Sequence, residues 1–131
     1  MKKTLSIEAA EPDAYMGLGS VAYAVAKSDG KLQSEELETV RRLFSTELYG
    51  DLAIRSFLIQ EYHDESVETA YAFAMRRVVA SRQVLDDDMI KHFVSVLQQI
   101  ADSSDGTSAG EKALIRRFQR DIDKLRADVA Q

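Results

Sequence analysis

A chain of 131 residues, 45% hydrophobic and 30% charged, has the composition of one water-soluble globular domain. The absence of cysteine excludes thiol catalysis, disulfides, iron–sulfur clusters and thiolate zinc sites. With 22 acids against 17 bases and a net charge of −5, no basic footprint for nucleic acid exists.

No apolar run approaches the roughly 18 to 20 residues that cross a bilayer, so membrane insertion is not expected. Glu8 and Glu11 interrupt the apolar stretch a signal peptide would need after Met1-Lys2-Lys3, and a cytoplasmic location is the expectation. One Pro and six Gly leave few turns, and the apolar residues between them recur at three and four. The fold class is all-α: a compact bundle of about six helices, forming a single domain over 12–131 after an extended or flexible segment, 1–11.

The first helix is expected to open at Pro12 and carry Tyr15, Leu18, Val21, Ala22 and Val25 inward, ending at Ser28-Asp29-Gly30. Ser34 caps a second, with Glu35 and Glu36 in its first turn and Leu37, Val40, Leu43, Phe44 and Leu48 on its apolar face. Gly50 stops it. Asp51 caps a third helix, whose inward face holds Leu52, Ile54, Phe57, Leu58 and Tyr62 before the polar His63-Asp64-Glu65. The fourth spans Ser66 to Arg82.

Asp86-Asp87-Asp88 reads as the acidic first turn of a fifth helix, ahead of a reading as a metal-binding triplet. That helix buries Met89, Ile90, Phe93, Val94, Leu97 and Ile100. Ser103-Ser104-Asp105-Gly106 breaks it. Ser108 and Glu111 then form a capping box for the last helix, which carries Leu114, Ile115, Phe118, Ile122 and Leu125.

The chain repeats itself. At an offset of 76, Leu18, Val21, Ala24, Val25, Asp29 and Gly30 fall on Val94, Leu97, Ile100, Ala101, Asp105 and Gly106. At an offset of 75, Glu36, Val40, Arg41, Arg42 and Leu43 fall on Glu111, Ile115, Arg116, Arg117 and Phe118. Glu36 and Glu111 are thus equivalents, with Glu35 as the alternative partner of Glu111.

At these residues, over roughly 14–125, the chain resembles the TerB-like family, named for tellurite-resistance proteins and also found as a module of membrane-anchored DnaJ-like proteins. The family pattern is a helix ending in Ala-Asp-Gly, a short loop, and a Glu opening the next helix, used twice. Both Ala positions are Ser here, and the second loop is one residue short. The resemblance implies a compact helical fold, an acidic surface feature suggested to bind metal ions, and no established catalytic activity.

Asp-Gly with a following Glu is also the second half of an EF-hand loop, but the opening ligand positions hold Val25 and Lys27 in one turn and Ala101 and Ser103 in the other. Neither turn alone can surround calcium. A joint site is the sharper expectation, with Asp29, Glu36, Asp105 and Glu111 converging about an approximate two-fold axis, and Glu35 and Asp102 as alternates. Such hard oxygen ligands select Ca²⁺, Mg²⁺ or Mn²⁺. The plainer account has the Asp residues bonding turn amides and the Glu residues complementing helix N-termini.

Catalytic motifs are absent. Gln60 and Met89 stand where a di-iron bundle would need Glu before His63 and His92, and no nucleophile elbow, phosphate loop or zinc-protease motif occurs. His92 is expected to pair with Asp88 at the surface, ahead of a role as general base. The pairs Arg41-Arg42, Arg76-Arg77 and Arg116-Arg117 read as ion-paired, solvated helix faces ahead of an anion site.

The functional expectation is a non-enzymatic, divalent-cation-responsive module presenting helix faces to a protein partner, with a homo-oligomer left open. The alternatives are a purely structural interaction domain whose acidic turns only cap helices, and a metal-dependent hydrolase.

Overall fold

The computed structural model describes the backbone of residues 2–30, 32–103 and 106–130, with side chains described from 11 to 127 within these ranges. Among the described residues there are six α-helices and no strand: α1 (Lys2–Lys27), α2 (Ser34–Phe44), α3 (Gly50–Tyr62), α4 (Val67–Ala80), α5 (Asp87–Ala101) and α6 (Ala109–Ala130), with a 3₁₀ turn over Arg82–Val84. Among the described residues, no helix is long and apolar enough to cross a membrane.

Helix α1 is the axis of the bundle. It packs against α3 and α4 on its flanks and also meets α5 and α6. Almost every residue from Ala14 to Ala26 is therefore buried, including Ser20, Tyr23, Ala24 and Ala26 outside the expected stripe. Small residues make this enclosure possible. A Cβ on Gly19 would stand 2.1 Å from the Ala53 carbonyl oxygen of α3, and one on Gly17 would press on Val78 of α4 at 3.1 Å. A helix covered on all sides has no single apolar face, so a one-stripe reading of α1 finds only part of its buried surface.

Several expected boundaries are displaced. Residues 2–11, expected to form an extended or flexible segment, lie within α1, and Pro12 stands inside that helix. Its ring removes one backbone donor, which costs a helical bond at that turn. Gln33, not Ser34, is the N-cap of α2, and Tyr49, not Asp51, is the N-cap of α3.

Helix α2 ends at Phe44, before Leu48 and Gly50. The Ser45 and Thr46 hydroxyls donate to the carbonyls of Arg42 and Leu43, satisfying acceptors that another helical turn would have used. Leu48 is left 75% exposed. Gly50 opens α3 rather than stopping α2, and its missing side chain is required because a Cβ would lie 1.6 Å from the Phe44 carbonyl oxygen.

Ser66 and Asp86, expected as the first residues of their helices, are instead the N-caps, and α4 ends at Ala80 rather than Arg82. Ser66 accepts from the Thr69 amide, and Asp86 accepts from the Met89 amide at 2.8 Å, which makes the acidic triplet the start of α5. Edge-on ring contacts between Tyr15 and Phe93 and between Tyr23 and Phe57 join α1 to α5 and α3. Tyr62, expected inward, is 83% exposed.

Candidate functional site

The two repeated units, α1 with α2 and α5 with α6, are crossed over. Helix α2 packs on α5, and α6 packs on α1, so each outgoing helix lies against the incoming helix of the other unit. The glycine at the turn of each unit has positive φ, 97° at Gly30 and 83° at Gly106. A Cβ at either would meet nothing, so the backbone angle and not space explains the residue. Gly110 in the first turn of α6 approaches the Ser28 carbonyl, where a Cβ would stand 3.1 Å away. The start of α6 is thereby seated on the Asp29-Gly30 turn of the first unit.

This crossing buries one glutamate from each half. Glu36 is 0% exposed and Glu111 2%. Both occupy the third position of their helices and use one carboxylate oxygen in the same way. The Gln33 amide donates to Glu36 Oε1 at 3.0 Å, and the Ser108 amide donates to Glu111 Oε1 at 2.9 Å. In α6 the box is reciprocal, since the Glu111 amide donates to Ser108 Oγ at 3.1 Å.

The other oxygens have no such partner. Glu36 Oε2 and Glu111 Oε2 are buried with no hydrogen bond, two of three such side-chain atoms among the described residues. The two carboxyl groups lie within hydrogen-bonding reach of each other. Two carboxylates cannot donate to one another, and a proton or a cation held between them would satisfy both oxygens and relieve their repulsion. Burial, followed by the contact with Glu111 and the nearby charges of Glu111 and Asp29, pushes the Glu36 carboxyl up to about 8; the Gln33 amide works in the opposite direction.

Of the sequence candidates, the structure brings Glu36 and Glu111 together and sets Asp29 close enough for its charge to act on Glu36. Asp29 itself is on the surface. Asp105 lies outside the described residues. The alternates are placed elsewhere: Glu35 is exposed on α2, and the Asp102 carboxylate accepts from Gln98 and Thr107 at the end of α5. Among the described residues, no group of three or more acids or histidines is arranged to hold a metal ion.

The repeat located the glutamate pair, but their depth in the core was not legible. A Glu three residues after an N-cap is ordinarily a surface residue, and only the crossing of the two units turns both inward. His92 does not pair with Asp88; its Nε2 meets Glu47 Oε1 at 2.5 Å, across to the α2–α3 connection. His63 is the C-cap of α3. Two of the arginine pairs contribute cross-helix ion pairs, Arg77 to Asp13 and Arg117 to Glu68.

Comparison with protein-family models, with curated proteins and with solved structures finds no match.

Proposed function

We propose that this chain is a non-enzymatic binding module whose two halves are joined by a divalent cation taken up between Glu36 and Glu111. The observation that carries this reading is the pair of buried Oε2 atoms, one from each half, that no donor reaches. The donor set fits a hard cation. Carboxylate oxygens select Ca²⁺, Mg²⁺ or Mn²⁺ over softer metals, and an ion there would offset the burial and, after it, the neighbouring charge that raise the Glu36 carboxyl. The TerB-like resemblance supports the same assignment, and the negative charge of Asp29 also acts on Glu36.

A cation bridging α2 and α6 would couple ion concentration to the relative seating of the two units. That is the chemistry of a responsive interaction domain presenting helix faces to a protein. A second reading is favoured by the capping geometry: both glutamates already serve helix N-termini, and a single shared proton would satisfy the remaining oxygens. The domain is then purely structural.

Thermal unfolding of chelator-treated protein, with each of the three ions added in turn, distinguishes the two. An ion at about a hundredfold above its dissociation constant adds about 2.7 kcal/mol. The expected result is a rise of several degrees in wild type that is lost in Glu36→Gln and in Glu111→Gln. No rise with any ion, in protein that remains folded, overturns the cation reading and leaves the shared proton.

A further inference from the structure

The outward face of α3 carries a cluster of surface apolar residues. Ala53, Ser56, Phe57 and Gln60 turn inward, while Ile54, Leu58, Ile59 and Tyr62 share an outer surface with Asp51, Arg55 and His63. Ile59 is 51% and Tyr62 83% exposed. Leu48, also exposed, lies in the turn that leads into the same helix.

The order of residues along this face is self-complementary. Asp51, Arg55, Leu58 and Tyr62 succeed one another at steps of four, three and four, the spacing of a helix-pairing seam, turned away from Ala53, Ser56, Phe57 and Gln60, with Leu58 partly buried against the core. They are also symmetric about the Ser56–Phe57 peptide. In an antiparallel pair of α3 helices, Asp51 of one copy therefore stands opposite Tyr62 of the other, and Arg55 opposite Leu58. The Tyr62 phenol can donate to the Asp51 carboxylate, and the Arg55 stem can lie along Leu58 with its guanidinium at the rim. Ile54 and Ile59, symmetric about the same point, flank the seam.

We propose that α3 is a homodimer interface, in which a second copy of this chain packs its own α3 antiparallel across the seam Asp51, Arg55, Leu58 and Tyr62. Charge favours this occupant over a merely apolar helix. Two Asp and two Arg make the seam neutral, so contact there avoids setting the net negative charge of one chain against that of the other. The surface is separate from the Glu36–Glu111 pair, and the test below reads nothing about cation uptake.

Sedimentation velocity of the full chain across micromolar to sub-millimolar concentrations should show a reversible monomer–dimer equilibrium. Tyr62→Glu sets a carboxylate against Asp51 at both ends of the seam, and raises the dimer dissociation constant about tenfold or more. Adding Asp51→Lys to Tyr62→Glu pairs opposite charges in the same register and restores the dimer. Circular dichroism confirms that each variant keeps its helices; Tyr62 is exposed enough for its replacement to leave the core intact. A wild type that stays monomeric throughout overturns the proposal. So does a dimer indifferent to Tyr62→Glu, or a folded double variant that fails to reassociate.

Discussion

Glu36 and Glu111, equivalent residues of the two halves, each bind a backbone amide three residues upstream through one oxygen, and their second oxygens are buried with no hydrogen bond. A capping box is usually a surface device, worth about 0.5 to 2 kcal/mol. Here each box also fixes the direction of a buried carboxyl, so the start of α2 and the start of α6 are tied to one shared electrostatic event.

Stability without added metal should fall as pH rises through neutrality. The folded-state value of Glu36, about 8, lies above the ordinary value near 4.5. A raised carboxyl binds its proton more tightly in the folded chain. Its contribution is therefore fully present below about 4.5, declines from there upward, and is lost above about 8. The change across that window is on the order of 3 to 5 kcal/mol. Urea unfolding in chelator from pH 5 to 9 measures it. Glu36→Gln, whose amide can donate to Glu111, should remove most of the decline; equal pH profiles for the two proteins would show that the pair is not coupled.

The glycines of α1 and α3 set how closely the helices approach. Gly19→Ala pushes a methyl group against the Ala53 backbone carbonyl, which cannot give without moving α3. A loss of about 2 to 3 kcal/mol or more is expected, and Gly50→Ala should be at least as severe. Gly17→Ala has milder contacts at 3.1 Å, one with the Val78 side chain. Gains in helix propensity offset part of that strain, leaving a change within about 1 kcal/mol. Urea midpoints of the three variants give the ranking directly.

Much of the architecture was legible because helix periodicity and turn chemistry agreed. Most of the cores of α5 and α6, the glycines with positive φ and the Ser108 cap follow from local sequence alone, whereas Val96 of α5 is buried without having been expected there. The misread positions were those decided by distant contacts. Gly50 is a good helix stop locally, yet its place is set by the Phe44 carbonyl beneath it. Tyr62 continues an apolar pattern, yet it lies exposed at the end of α3 with its ring edge-on to that of its neighbour His63. Likewise, the spacing that identified Glu36 and Glu111 as equivalents carried no information on depth, which arises only when the two units cross.

Asp86 and its two acidic neighbours should behave as a helix start. The Asp86 carboxylate accepts the Met89 amide, so Asp86→Ala should cost about 1 kcal/mol. Asp88→Asn, by contrast, removes only a first-turn charge, worth about 0.3 to 1 kcal/mol and screened by salt. Denaturant unfolding at low and high salt separates the two effects. A metal-dependent difference between wild type and Asp86→Ala would instead revive the triplet as a cation site.

Tyr71 provides the last test, because its hydroxyl holds α4 to α6. The ring is buried, its phenol donates to Asp121 Oδ2 at 2.6 Å, and the Arg117 guanidinium lies 4.1 Å from the ring centroid while also pairing with Glu68. Burial, then the bond to Asp121, pushes the phenol well above the usual tyrosine range. Tyr71→Phe keeps the ring packing and its contact with Arg117 but removes the donor, so the expected loss is about 1 to 2 kcal/mol. Asp121→Asn should lose less, since an amide oxygen can still accept. If the two losses add in the double variant, the hydroxyl and carboxylate act separately; a double variant no worse than Tyr71→Phe identifies the bond between them as what is lost.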